Sequence, residues 1–285
     1  MRHTETHAGP KGLVVDGLRK RYGAHTAVDG VSFTLPPGGS LAIVGESGSG
    51  KTTTVRMLVG LERADGGTVR LDGRDRSARA RGRAERLARA REIQMVFQDP
   101  YLSLDPRVSV NGCLDEVLRL HTGLDAAART ARVGELLDQV GLGAREAVSL
   151  PRGLSGGQRQ RVAIARALAV EPRVLVLDEA VAALDVSIQA QILDLLRGIR
   201  RRSGIGYLFV THDLAVVRHV ADEVLVLKSG TVLESGPVDR VLDAPEHPYT
   251  RLLLNSVPRR GRVPGGAGRT GHGGPGRGPD PRSVP

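Results

Sequence analysis

Four short segments carry residue types that act on phosphate groups when a fold brings them together. The first is Gly45-Glu-Ser-Gly-Ser-Gly-Lys-Thr52, which satisfies G-x-x-x-x-G-K-[ST]. Glycines at 45, 48 and 50 permit a backbone in which consecutive N–H groups face one anion, and a following helix adds its positive dipole end. Lys51 is one of only four lysines among 41 basic residues, and its compact ammonium suits a place between β- and γ-phosphates. The Thr52 hydroxyl is placed to ligate Mg²⁺. A plain Gly/Ser turn before an ordinary helix is the bland alternative. Against it stand the strand-like Leu41-Ala-Ile-Val44 before the loop and the helical pattern Thr53–Leu61 after it.

The second segment, Val174-Leu-Val-Leu-Asp-Glu179, is an apolar strand that ends in two acids. Ligands of parallel α/β sheets sit at the carboxyl ends of strands, so these acids are expected beside the phosphate loop. Asp178 is expected to partner Mg²⁺, directly or through water, and Glu179 to serve as general base toward a water in line with the γ-phosphate. In the third, Tyr207–Val210 leads into Thr211-His212-Asp213, where His212 can contact the γ-phosphate and hold that water. The fourth, Leu154-Ser-Gly-Gly-Gln158, opens the helical run Arg159–Val170, with Ser155 as a plausible N-cap and two glycines that let an anion approach. Alone, it is simply a capped helix.

These segments need a rigid frame. Leu41–Val44, Val174–Leu177, Leu208–Val210 and Val224–Leu227 are brief apolar runs of the kind that become buried parallel strands, and Val162–Val170 and Ile188–Ile199 have helical length and spacing. The alternation argues α/β with crossover connections. From about Pro100 to Gly157 the chain is mostly helix-forming, as in Leu114–Leu120 and Ala126–Val140, and reads as an inserted helical subdomain.

With 285 residues, 40% apolar and 25% charged, the chain is ample for a core. No apolar run approaches the ~18–20 residues that cross a bilayer, and the first residues carry no apolar stretch of a secretory leader. A protein that neither spans a membrane nor is exported is therefore expected. The formal charge of +10 is local. Residues 258–285 hold six arginines against one aspartate, and Arg70–Arg91 nine arginines against three acids, so the remainder is nearly neutral. Such basic segments are more often solvated or disordered than nucleic-acid sites, and seven aromatics without tryptophan supply few stacking platforms. No specific nucleic-acid partner is expected.

In order, Gly45–Thr52, Leu154–Gln158, Val174–Glu179 and His212 resemble the nucleotide-binding subunit of an ABC transporter, over roughly residues 13–257. The resemblance implies an α/β P-loop NTPase fold of the ABC type: a mainly parallel core sheet, a small antiparallel β subdomain, and the helical insert at about 100–157. An extension at about 236–257 and disordered tails at 1–12 and 258–285 complete the expected organisation. It implies ATP and Mg²⁺, with adenine on Tyr22 and the phosphates on Gly45, Ser47, Gly48, Ser49, Gly50, Lys51, Thr52 and Thr53. Mg²⁺ would be held by Thr52, Gln98 and Asp178, and catalysis would fall to Glu179, His212 and Gln98, the last also relaying contact with membrane subunits. Ser155, Gly156, Gly157 and Gln158 would bind the γ-phosphate held by the partner subunit's Lys51, and Asp185 would lie in the loop crossing that interface. The expected assembly is a head-to-tail pair of ATPases, identical or paralogous, on two permeases.

Glu46-Ser-Gly-Ser49, Phe97–Pro106, Asp185–Gln191 and His247-Pro-Tyr-Thr-Arg-Leu-Leu-Leu254 are similar to oligopeptide and dipeptide importers, and nickel importers share much of this. An extracytoplasmic peptide-binding protein and a peripheral place on the cytoplasmic face of the plasma membrane follow from the resemblance. His247 is read as part of a Pro-flanked turn rather than a metal ligand, and with only Cys113 no iron–sulfur centre is expected. The chain departs from the family where Ala180, Val181 and Ala182 stand in place of Pro-Thr-Ser, and Gly153 replaces a polar residue. The lost hydroxyls leave open a weakly hydrolysing regulatory cassette. A soluble repair or translation ATPase is a further alternative, although the Lys51-to-Ser155 spacing leaves no room for the long coiled coil of repair members.

Overall fold

The computed structural model describes residues 11–256. Its first half runs β1 (Leu13–Tyr22), β2 (His25–Leu35), β3 (Ser40–Val44), α1 (Lys51–Leu58), β4 (Gly66–Leu71), β5 (Arg74–Asp75), α2 (Gly82–Glu92) and β6 (Ile93–Val96). Helices α3 (Val110–His121), α4 (Ala126–Gln139), α5 (Ala144–Ala147) and α6 (Gly156–Leu168) follow. The chain then alternates β7 (Val174–Asp178), α7 (Val186–Ser203), β8 (Gly206–Thr211), α8 (Leu214–Val220) and β9 (Glu223–Lys228) before β10 (Thr231–Pro237), α9 (Val238–Asp243) and α10 (Pro248–Ser256).

The strands make a six-stranded sheet in the order β10-β9-β3-β8-β7-β6 and a four-stranded antiparallel sheet, β2-β1-β4-β5. The larger is parallel except where β10 pairs antiparallel with β9 at one edge. Every residue of β3, β7 and β8 is buried, which is why these strands read as unbroken apolar runs instead of alternating ones. Alternation reappears in what each residue touches. Leu41, Ile43, Val174 and Val176 pack with the antiparallel sheet and α1, while Ala42, Val44, Leu175 and Leu177 join the core formed with the helices.

The two longer helices of the insert begin on side-chain caps: Ser109 Oγ accepts from Gly112 N at 3.3 Å before α3, and Asp125 Oδ1 from Ala128 N at 2.8 Å before α4. Of the two expectations for the arginine-rich stretch, solvated or disordered, the structure has the first: it is ordered, as β4, β5 and α2, and largely exposed, with no buried residue in α2. Arg76 binds Glu92 and lies 3.1 Å from the Arg89 carbonyl, while Arg89 Nη1 donates to the Arg76 and Ala78 carbonyls at 3.0 and 2.6 Å. Two of its arginines thus pin α2 to the strand before it. The expected tails, 1–12 and 258–285, lie outside the described residues apart from residues 11 and 12. Among the described residues no helix is long and apolar enough to cross a membrane.

Candidate functional site

The phosphate loop joins the end of β3 to α1, at the carboxyl edge of the parallel sheet. Gly45 and Gly50 are required by shape as well as by conformation, and Gly48 by its φ of +79° alone. A Cβ on Gly45, at φ +156°, would fall 2.1 Å from the Leu227 carbonyl oxygen. Lys51 is only 6% exposed, and its Nζ donates to the carbonyls of Gly45 at 2.7 Å and Glu46 at 2.8 Å. Burial pushes the ammonium below its usual value, against the opposite pull of Glu179, Asp178 and Glu46. The buried Ser49 Oγ has no hydrogen-bond partner. A polar atom left without a partner there fits a loop built to hold a polar ligand.

A cleft of ≈720 Å³ is lined by Ser47, Gly48, Ser49, Gly50, Lys51, Thr52 and Thr53 together with Tyr22, His25, Ala27, Glu179 and His212. His212 Nδ1 lies 3.1 Å from Glu179 Oε1, so the third segment meets the second across the cleft. Glu179 has φ 47°, a left-handed conformation that is rare for a residue with a long side chain, and such strain gathers at working sites. Its amide donates to the Val210 carbonyl at 2.8 Å, which fixes this sharp exit from β7 against β8.

Asp178, at the last position of β7, is buried. Burial first, then the Glu179 carboxylate, pushes its carboxyl above the ordinary range, while Lys51, Arg56 and a hydrogen bond with Thr52 pull the other way. That contact couples the hydroxyl and the carboxylate expected to share Mg²⁺. Among the described residues no group of three or more His, Cys, Asp or Glu side chains could hold a metal alone. One carboxylate, one hydroxyl and substrate phosphates are the usual donor set of Mg²⁺, so the residues fit that ion.

The remaining expected residues do not enter the cleft. Gln98 is exposed in the bend after β6, and Asp185 is exposed at the start of α7. Ser155 and Gln158 form a reciprocal capping box on α6, with Gln158 N to Ser155 Oγ at 3.2 Å and Ser155 N to Gln158 Oε1 at 2.9 Å. Gly156 and Gly157 pack on the segment leading into α7, where a Cβ on Gly157 would meet Ile188 Cγ2 at 2.6 Å. The Ser155–Gln158 turn therefore packs beside the Leu184–Ile188 segment, and neither contributes a residue to the lining of the cleft. The substituted Ala180 and Val181 are buried in the core and Ala182 is exposed. A side chain at Gly153 would meet open space.

Sequence reasoning missed His25 and Ala27, which belong to the antiparallel sheet and reach the cleft only through its docking. It also missed Tyr249 in α10, which contacts the phosphate loop from behind: Glu46 N donates to Tyr249 Oη at 3.3 Å. No local signal marks Tyr249, because the contact joins distant parts of the chain. His247 sits in the turn read for it, and its Nδ1 accepts from Tyr249 N at 3.0 Å.

A family model described as ABC transporter matches residues 28–182, and one for the oligopeptide/dipeptide transporter C-terminal region matches residues 233–281. The chain is similar to the oligopeptide transport ATP-binding protein OppD of Mycobacterium tuberculosis, 47% identical over 260 residues, covering 91% of this chain and 42% of that protein. It is 50% identical over 236 residues to a protein of Brucella abortus described as a peptide import ATP-binding protein, covering 83% of this chain and 70% of that one. The chain thus spans less than half the length of the mycobacterial relative. Among solved structures, a dimeric ATP-binding cassette in a post-hydrolysis state bound to ADP and Pi matches with a TM-score of 0.70 and 29% identity, covering 79% of this chain and 98% of that one.

Proposed function

Because this chain belongs to the ABC transporter family, we propose that it is an ATPase that energises import of oligopeptides or dipeptides through ATP-driven closure of a cassette pair. One observation carries the reading: Lys51, Thr52, Glu179 and His212 line a single cleft with Asp178 beneath it, whereas Ser155–Gln158 sit outside that cleft. A phosphate site completed by the partner subunit's signature turn accounts for both facts.

In this mechanism the adenine lies on Tyr22, and Lys51 leaves the Gly45 and Glu46 carbonyls to meet the β- and γ-phosphates. Thr52 and Asp178 would hold Mg²⁺, with Gln98 as the third residue assigned to it, and the ion would offset phosphate charge when bound. The Glu179 carboxylate takes the proton of the attacking water, and His212, already in contact with Glu179, holds that water and the γ-phosphate. This contact favours a hydrolysing cassette over a regulatory one. Asp185 and the signature residues of each subunit close on the other's nucleotide, and hydrolysis reopens the pair.

Two permeases would dock beside Gln98, where exposed Leu61, Phe97 and Leu120 flank a groove between the sheet and the helical insert. That docking would keep the chain peripheral on the cytoplasmic face, with an extracytoplasmic peptide-binding protein delivering cargo. The test is ATP turnover by the purified chain with its membrane subunits. Glu179→Gln is expected to retain ATP binding while turnover falls by about 10²–10⁴, and Lys51→Ala to lose nucleotide binding. Unchanged turnover in Glu179→Gln overturns the general-base assignment.

A further inference from the structure

The C-terminal segment reaches the phosphate loop through Tyr249. Tyr249 is 5% exposed, on a helix of nine residues that follows the last strand pair. Its hydroxyl oxygen accepts from Glu46 N at 3.3 Å and also meets the Glu46 carboxyl, and the Lys228 ammonium lies 4.3 Å from its ring centroid. The Glu46 N–H belongs to the same peptide unit as the Gly45 carbonyl, which accepts from Lys51 Nζ at 2.7 Å. In a trans peptide those two groups point in opposite directions. Tyr249 therefore grips the outer side of the plane whose inner side faces Lys51.

The grip is itself anchored. Glu234 on β10 accepts from Glu246 N at 2.8 Å and from His247 N at 3.1 Å, and His247 Nδ1 in turn accepts from Tyr249 N at 3.0 Å. A continuous set of hydrogen bonds thus runs from β10 through the turn into α10 and on to the phosphate loop.

We propose that Tyr249 is a positioning residue for nucleotide binding: by fixing the Gly45–Glu46 peptide plane it sets the phosphate loop in its receptive shape and ties that shape to the seating of the C-terminal segment. This rests on the nucleotide-binding reading above. Without the hydroxyl, the Glu46 amide faces the aromatic ring with no acceptor, and the peptide plane is held from the Lys51 side alone.

The test compares wild type, Tyr249→Phe and Val241→Ala, the last a buried position on α9, which packs against α8, α10, β9 and β10. MgADP affinity, melting temperature and hydrogen exchange of the amides from Glu46 to Lys51 are measured on each. Tyr249→Phe is expected to weaken MgADP about five-fold and to speed exchange at Glu46, with little change in melting temperature. Val241→Ala is expected to lower the melting temperature and leave exchange at Glu46 slow. Wild-type affinity and exchange in Tyr249→Phe overturn the proposal, as does equal weakening in Val241→Ala. Should Tyr249→Phe fail to fold, the wild-type amide decides: slow exchange at Glu46 supports the grip, and exchange as fast as an open loop overturns it. A wild-type chain that binds no nucleotide counts against the function instead, and the exchange measurement still stands.

Discussion

Asp178 carries a buried negative charge beside Glu179, and both burial and that neighbour raise its carboxyl in the folded chain. A raised acid binds protons more readily folded than unfolded, so its contribution to stability is fully present in acid and is lost as pH rises through the raised value. At neutral pH the charge therefore costs stability. Asp178→Asn is expected to stabilise the free chain at pH 7.5 by on the order of 1 kcal/mol, with the advantage shrinking toward pH 4, while Mg²⁺-dependent nucleotide binding falls. Calorimetric melting at both pH values checks this, and a variant less stable than wild type at neutral pH contradicts it. The residues that meet in the cleft were legible wherever a local pattern marked them: Lys51 by its glycines, Glu179 by the apolar strand before it, His212 by its strand end. His25, Ala27 and Tyr249 were not, because their place depends on docking between distant segments and no spacing records it.

Between α6 and α7 the close approach of Gly157 to Ile188 sets how near the Ser155–Gln158 turn comes to the start of α7. A methyl group at 157 would fall 2.6 Å from Cγ2 of a β-branched side chain that has little freedom to yield. Gly157→Ala is expected to destabilise the chain by about 1–3 kcal/mol, and Ile188→Ala in the same chain to recover part of that loss, as measured by denaturant unfolding in a double-mutant cycle. The core strands were legible as elements because burial on both faces makes them continuous apolar runs. The antiparallel sheet was expected only from family resemblance: β1 and β2 carry bulges and exposed charged positions that blur the period-two pattern. Helix α2 escaped for a different reason. It buries no residue, so it has no apolar stripe to read, and carbonyl contacts of Arg76 and Arg89 hold it in place.

At the scale of the molecule, the proposed mechanism completes the cleft with the Ser155–Gln158 turn of a second chain, and Val186 stands beside Asp185 with 81% of its surface exposed. Val186→Asp is expected to prevent ATP-induced pairing of the Glu179→Gln chain, read by light scattering, without weakening ATP binding to the single chain. Pairing at wild-type levels would remove this surface from the interface. The strand order has a separate consequence for the birth of the protein. The central strand β3 hydrogen-bonds to β8 and β9, which leave the ribosome long after it, and the N-terminal sheet and α1 share their core with Val176, Leu208, Val210 and Leu225. A nascent chain that has made only its phosphate motif has therefore no partner strand for β3. Productive folding waits for translation through β9, and until then the growing polypeptide is a client for chaperones.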